Sequence, residues 1–353
     1  MKKYYALYEK VKNLILNGEY KAGQKLPSKR VMADRFGCSQ ITVITAYGML
    51  ESEGYIEARE RSGYIVLDIN ALYNKSKPTV KIEKLSEDVS GFDNDFEYSL
   101  WFKTVRKVIS ERDKELFIKP GAEGCAVLRN SISDYLLRYR GMVAPPERII
   151  IGSGAEQLYE SVVKILGRDR TFGIEDPSYS QIENVYEQEG VKTVKLKMGS
   201  DGIETHDLNL KDFSVLHVTP FSSYPSNVTA SIKKRYEYLS FASKSENNYI
   251  VEDDFKSEFF LPGNPIESLY SLSGGEKVIY VNTFSKSLSP SMRIGYMILP
   301  ESLISIYKER LGGFSCSVPV LDQYVLAEFI NSGSFERHLN RLRRKMNKMG
   351  ELK

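Results

Sequence analysis

The first 67 residues combine short helical stripes with glycine-rich turns. Apolar residues at helical intervals predict a first helix: Leu7, Val11, Leu14 and Ile15. SKRVMADRF predicts a second short helix, and a third runs from Gln40 to about Glu53. The runs GYI and GYIV flank the polar loop EARERS and predict a hairpin. Three helices followed by a hairpin predict a winged helix-turn-helix, whose third helix suits the major groove of DNA.

Residues 96–353 show a different sequence pattern, in which amphipathic helical segments alternate with short apolar runs. We interpret RIIIG, TFGIED, VKTVKL, VLHVTP, NYIVEDD and KVIYVNTF as strands, with helices such as AEQLYESVVKILG between them. This α/β pattern predicts a mostly parallel sheet that is covered on both faces and binds ligands at the carboxyl ends of its strands. The polar stretch 68–95 has no sustained period, so it predicts a linker between domains 1–67 and 96–353.

Composition and charge narrow the class of protein. With 42% hydrophobic and 27% charged residues, the chain is typical of a folded globular protein. It has no apolar run long enough for a membrane span and no signal peptide, and its three cysteines and three histidines are scattered. We therefore expect a cytoplasmic protein without a membrane partner, a disulfide framework or a metal centre. Residues 1–67 hold 11 Lys and Arg against 7 Asp and Glu, which favours a nucleic-acid-binding head.

Two stretches of the larger domain could contribute to a ligand site. GSGAEQ, at 152–157, lies between a strand and a helix, where glycines let backbone amides approach a phosphate. It lacks the third glycine of a dinucleotide motif, and it could also be an ordinary tight turn. VEDDF, at 251–255, places carboxylates at the end of an apolar strand, where they need partners.

A third stretch supplies an amine. TFSKS, at 283–287, sets Lys286 among hydroxyls, and Arg293 follows seven residues later. A partly desolvated lysine has a lowered pKa and can form a Schiff base, while hydroxyls and an arginine can hold a phosphate. A solvated loop lysine is the alternative for this stretch alone. Together, the three stretches contain the parts that a pyridoxal phosphate site requires.

Longer matches resemble two known families. LYEKVKNLILNGEYKAGQKLPSKRVMADRFG, CSQITVITAYGMLESEGYI and RERSGYIV resemble the GntR family of DNA-binding heads. FGIEDPSY, YIVEDDFKSEF and NTFSKSLSPSMRIGYMILP resemble the fold-type I aminotransferase domain, in the form fused behind GntR heads in the MocR branch. Members of that branch continue into a C-terminal small domain, so the resemblance implies an aminotransferase-like domain over 96–353 that is truncated before the small domain.

The first resemblance implies a DNA-binding surface on the head. Gln40 stands where the family often has Arg, and Arg61 stands where it often has Gly. Gln can read adenine whereas Arg prefers guanine, so we expect an operator that differs from those of relatives. A protein-interaction domain with solvated charges is the alternative. The implied DNA contacts, with Tyr47 and the wing residues at the backbone, are Arg30, Ser39, Gln40, Thr42, Tyr47, Arg59, Arg61 and Gly63.

The second resemblance implies roles at the cofactor. Lys286 would form the Schiff base with pyridoxal phosphate, Asp253 would pair with the pyridinium nitrogen, and Tyr179 would flank the ring. Phe255 replaces a tyrosine that donates to the phenolic oxygen of the cofactor in relatives, and Gln181 stands where some relatives have an arginine for the substrate carboxylate. The phosphate would be held by Gly154, Ala155, Glu156, Thr283, Ser285 and Arg293.

These features predict a pyridoxal-phosphate-dependent transcription regulator. Its partners would be operator DNA, a second copy of the chain in a homodimer, and an effector that is a small amine, an amino acid or the cofactor itself. Sensing would use exchange at the Lys286 aldimine rather than turnover. One alternative is a working aminotransferase with a DNA-binding head, and another is a cofactor-free regulator whose larger domain is a dimerisation scaffold.

Overall fold

The computed structural model describes residues 3–59, 62–68, 96–259 and 267–349. The chain divides into two compact units, Met1–Ser90 and Gly91–Lys353, here called the head and the body. Apart from residue 68, the predicted linker 68–95 lies outside the described residues, as does Arg61. Within the described ranges, no helix has the length and apolar character needed to cross a bilayer.

The head has the three helices and the hairpin that the residue spacing predicts. Ser28 and Ser39 cap the second and third helices, because their hydroxyls accept hydrogen bonds from the backbone amides of Val31 and Thr42. The two strands pair antiparallel, with Ile56 opposite Val66. The elements are α1 (Lys3–Leu16), α2 (Lys29–Phe36), α3 (Gln40–Ser52), β1 (Ile56–Arg59) and β2 (Gly63–Val66).

The body is built on an eight-stranded mixed sheet with the order β3-β10-β9-β8-β7-β4-β5-β6. Its five central strands, from β9 to β5, run parallel, as predicted. Strand β10 runs antiparallel between β3 and β9 and was not predicted, and β6 is a short antiparallel addition to β5. The strands are β3 (Ile149–Gly152), β4 (Thr171–Asp176), β5 (Lys192–Gly199), β6 (Gly202–Ile203), β7 (Val215–Val218), β8 (Tyr249–Asp253), β9 (Val278–Thr283) and β10 (Gly295–Ile298).

Helices cover both faces of this sheet. Alternation along β3 sends Ile149 and Ile151 into one buried cluster and Ile150 into another, so the strand is apolar on both sides. The helices are α4 (Tyr98–Glu111), α5 (Ala126–Arg140), α6 (Ala155–Leu166), α7 (Ser180–Gln188), α8 (Thr205–Leu210), α9 (Ile232–Ser243), α10 (Leu269–Leu272), α11 (Glu301–Leu311), α12 (Val320–Asn331) and α13 (Ser334–Met349).

Three consecutive carboxylates at the end of β8 each have their own partners. Glu252 accepts hydrogen bonds from the first two backbone amides of α10, at 2.8 and 2.9 Å. Asp254 forms a buried ion pair with Arg140 (3.1 Å) and accepts from the Tyr280 hydroxyl (2.8 Å). Because side chains alternate along a strand, Asp253 lies on the opposite face from its neighbours. The expectation that these carboxylates need partners is confirmed.

The ion pair of Asp254 yields a stability prediction. In Asp254→Asn, the nearly buried charge of Arg140 loses its counter-charge, which should lower the free energy of unfolding by about 3–5 kcal/mol. Urea denaturation can be followed by fluorescence of Trp101, the single tryptophan, which is buried in the body.

The matched control is Glu115→Ala, which removes an exposed ion pair with Arg112 and should cost no more than about 1 kcal/mol. Equal losses of unfolding free energy in the two variants would contradict the larger contribution expected of the buried pair.

Candidate cofactor site and DNA-binding surface

A cavity of about 310 Å³ opens where β8 and β9 end and α6 begins. This is the edge at which a parallel sheet is expected to bind ligands. It brings together the predicted site residues of the body, with Gly154 directly beside it. The lining residues are Ala155, Glu156, Tyr159, Tyr179, Thr219, Tyr224, Asp253, Phe255, Thr283, Ser285, Lys286 and Arg293.

Lys286 presents its amine to this cavity. The residue is exposed, and its Nζ lies 3.9 Å from the centroid of the Phe255 ring. Partial burial, together with the positive charge of Lys256, lowers the pKa of Lys286 to about 8, against an opposing effect from Asp253. About a tenth of the amine is therefore uncharged at pH 7, and the uncharged form is the one that a nucleophile requires.

Asp253 forms the deep end of the cavity. It is 6% exposed, and the Tyr159 hydroxyl donates to its Oδ2 at 2.5 Å. Burial raises the pKa of Asp253 to about 6, although the hydrogen bond from Tyr159 and the charge of Lys286 act in the other direction. A cationic ring nitrogen beside this carboxylate would favour its charged form.

Tyr159 is a site residue that the sequence reasoning missed. It lies four residues after Ala155, one turn further along α6, so helical spacing places both on the side that faces the cavity. Its ring packs edge-on against His217, whose Nδ1 lies 2.6 Å from the Tyr186 hydroxyl. Burial lowers the pKa of His217 to about 3, so this ring is neutral and adds no positive charge behind Asp253.

The other end of the cavity holds an ion pair between Arg293 and Glu156, with 2.6 Å between Nη2 and Oε2. Arg293 comes this close to the start of α6 because residue 154 is glycine, with φ +96°. A Cβ at that position would lie 2.6 Å from the guanidinium. Burial tends to raise the pKa of Glu156, but its own backbone amide and Arg293 outweigh burial and hold the pKa below its usual value.

These residues fit pyridoxal phosphate in three respects and resist it in one. The cavity offers an amine, a buried carboxylate, and an anion-binding end made of a helix N-terminus, hydroxyls and a guanidinium. The resisting feature is Glu156, because its carboxylate already neutralises the arginine that a phosphate would use. Phe255 has no hydroxyl to donate beside Lys286, and Tyr179 lies near the mouth with its ring 6.2 Å from that of Tyr224.

On the head, the predicted DNA residues gather around the starts of α2 and α3. Ser39, Gln40 and Arg30 are exposed and Thr42 is partly exposed. Arg59 is exposed at the end of β1, with its Nε 3.3 Å from Glu57, and Gly63 begins β2. A shallow cleft joins the start of α2 to the start of β2, next to the hairpin turn, and it adds two lysines that the sequence reasoning missed. Its lining is Lys25, Leu26, Pro27, Ser28, Lys29, Arg30, Ser62, Gly63 and Tyr64.

The prediction that Tyr47 approaches the DNA backbone is wrong. The residue is 0% exposed, and its hydroxyl donates to the backbone carbonyl of Pro27 at 2.9 Å. Val43 and Leu50 are buried beside it on the inner face of α3. Tyr47 therefore supports the turn before α2 from inside the head and does not reach outward.

Two family descriptions match the two units. Residues 3–66 match the bacterial regulatory proteins of the gntR family, and residues 90–352 match aminotransferase class I and II. The body has the fold of an archaeal alanine:glyoxylate aminotransferase (TM-score 0.62, 23% identity, 69% of this chain and 62% of that one). The kynurenine aminotransferase of Pyrococcus horikoshii gives a TM-score of 0.64 at 22% identity, over 70% of this chain and 64% of that one. This chain thus spans less than two thirds of either aminotransferase.

Several curated relatives share the order of both units. The HTH-type transcriptional regulator YdeL of Bacillus subtilis is 32% identical over 97% of this chain and 76% of its own length. The probable rhizopine catabolism regulatory protein MocR of Rhizobium meliloti is 29% identical over 96% and 73%. PdxR of Corynebacterium glutamicum, a pyridoxine biosynthesis transcriptional regulator, is 28% identical over 96% and 75%. The chain belongs to the GntR family of helix-turn-helix transcription regulators, in the MocR-type branch that carries an aminotransferase class I and II domain behind the head.

Proposed function

We propose that this regulator binds operator DNA through its head and senses pyridoxal phosphate, or an amine or amino acid that competes for it, through Lys286. The observation that carries the proposal is the placement of Lys286 and Asp253 in one cavity with an anion-binding end. The lowered pKa of Lys286 supports the same proposal, because it leaves part of the amine uncharged.

Each lining group has a separate task in this proposal. Pyridoxal phosphate, when bound, supplies an aldehyde that reacts with amines and a ring nitrogen that withdraws electrons when protonated. Lys286 offers the amine, and the Phe255 ring packs against it. Asp253 would hold the proton on the ring nitrogen, while Tyr159 holds the carboxylate in place.

Regulation requires two states with different affinities for DNA. A ligand amine that replaces Lys286 in its contact with the cofactor would release the lysine, and the two states would then place the heads differently. We propose that the body forms a homodimer, so that two heads bind two half-sites at a set spacing.

Sensing agrees better with the cavity than amino-acid turnover does. Among the described residues that line it, Arg293 is the one arginine, and it lies at the phosphate end beside Glu156. A transaminase spends binding energy on the substrate carboxylate to orient the reacting bond, and the described lining offers no second guanidinium for that purpose. An amino-acid half-reaction assay would decide for the enzyme if turnover is found.

Covalent capture at one lysine is the first test. Incubation with pyridoxal phosphate should produce a visible absorbance band, and borohydride reduction should leave a stable adduct that peptide mass spectrometry places on Lys286. Lys286→Ala should lose both signals, while Lys308→Ala, a change at an exposed lysine of α11, should keep them. A cofactor-free regulator would show no band, or adducts spread over surface lysines in proportion to their exposure.

The rate at which Lys286 reacts with pyridoxal phosphate should depend on pH. Because only the uncharged amine reacts, the rate should rise as pH increases through about 8, the lowered pKa of Lys286. Lys256→Gln removes a positive charge and should move the midpoint upward, whereas Asp253→Asn removes a negative charge and should move it downward. Stopped-flow absorbance measures these midpoints. Identical midpoints in all three proteins would contradict the electrostatic account.

The carboxylate beside the phosphate end should weaken cofactor binding. Glu156→Gln frees Arg293 and should tighten pyridoxal phosphate binding about fivefold, as expected for loss of a partly exposed competing ion pair. Pyridoxal, which has no phosphate, serves as the control ligand and should bind both proteins equally. Weaker binding of pyridoxal phosphate by the variant would mean that Glu156 helps to hold the phosphate.

A further inference from the structure

The outer face of α3 is apolar at the positions where a recognition helix meets base edges. Ile41 is 75% exposed and Ile44 is 46% exposed, and their spacing of three residues makes them neighbours on the helix surface. The helix contains no lysine or arginine. Its one acidic residue, Glu51, accepts a hydrogen bond from the backbone amide of Ala58, on the wing side of the head.

The hydroxyl groups on this face already have partners within the helix. Thr45 donates to the carbonyl of Ile41 at 3.0 Å, and the hydroxyls of Thr42 and Ser39 lie 3.0 Å apart at the cap. The Thr45 hydroxyl has thus used its single donor, so toward DNA it offers its lone pairs and its methyl group. Gln40, exposed at the first position of the helix, is the one amide side chain of α3.

The positive charge of the head lies off this helix. Lys25, Lys29 and Arg30 line the cleft between the start of α2 and the start of β2. Groups of this kind bind phosphates and position a protein on the duplex without reading its sequence. An apolar ridge on a recognition helix, in a head that also carries cationic groups for phosphates, fits a major groove better than it fits an apolar protein surface, since a groove presents phosphates at its edge and bases inside.

We infer that α3 reads A·T base pairs, with Ile41 and Ile44 against the C5 methyl groups of thymine and Gln40 on an adjacent adenine. Thymine is the one base that displays a methyl group in the major groove, and glutamine pairs with adenine through two hydrogen bonds. Guanine is read mainly by arginine or lysine, and α3 has neither. This inference rests on the proposed DNA binding by the head.

The test starts from the full chain and a library of random DNA duplexes. Repeated selection should enrich half-sites with consecutive A·T pairs. In the best selected duplex, deoxyuridine then replaces thymidine at those pairs, which removes the methyl group and keeps every hydrogen bond. We expect affinity to fall about fourfold for each methyl group lost, as expected from burial of one such group.

Substitutions test whether the preference for thymidine over deoxyuridine comes from the outer face of α3. Ile44→Ala should lose part of the preference for thymidine, and the double variant Ile41→Ala/Ile44→Ala should bind the thymidine and deoxyuridine duplexes with nearly equal affinity, since both methyl partners are then gone. Leu16→Ala, at an exposed apolar position of α1, should keep the preference for thymidine. Arg30→Ala should weaken both duplexes by the same factor, because a phosphate contact does not distinguish them. Circular dichroism confirms that each head is folded.

The negative results of these experiments distinguish failure of the A·T inference from failure of the proposed DNA binding. If sequences are enriched but deoxyuridine binds as well as thymidine, or if the enriched half-sites are G·C-rich, the inference is overturned and DNA binding stands. If Ile41→Ala and Ile44→Ala alter self-association and leave base preference unchanged, the ridge is a protein contact and the inference is also overturned. If no duplex is bound at all, the proposed function itself fails.

Discussion

The ligand chemistry proposed for the body depends on an amine and a carboxylate that lie in one cavity at the carboxyl ends of parallel strands. Burial raises the pKa of Asp253 and lowers that of Lys286, so each group is shifted toward its neutral form. Each charge also favours the other, which limits both shifts. A ligand with an aldehyde and a basic ring nitrogen satisfies both groups at once, and for this reason the cavity suits pyridoxal phosphate better than a plain anion.

Strand β8 makes this arrangement possible. The last two residues of this strand and the residue after it are acids that alternate between faces, so Glu252 and Asp254 support the fold while Asp253 serves the cavity. Tyr159 then couples α6 to the same carboxylate, and α6 also supplies the anion-binding end. The helix that begins at Ala155 therefore touches both ends of the site, and a shift of this helix would change both together.

Much of the fold and of the candidate site could be predicted from the sequence, because strand ends, glycine turns and the lysine among hydroxyls are local features. Tyr159 and the Glu156–Arg293 pair were missed, because they depend on which side chains from distant segments meet. Strand β10 was missed because its run is short and its partners, β3 and β9, are far apart in the chain. For Tyr47 the local pattern was right and the family resemblance was wrong. Its helical spacing with Val43 and Leu50 already indicated burial, and the family register wrongly placed it at the DNA.

We propose that chemistry at Lys286 controls how the head binds DNA. The most direct test of this proposal is the operator affinity of the full chain, measured by fluorescence anisotropy across a titration with pyridoxal phosphate, for the native protein and for Lys286→Ala. We expect the cofactor to change the affinity of the native protein and to leave that of the variant unchanged. An equal response in both proteins, or no response in either, would contradict the proposal.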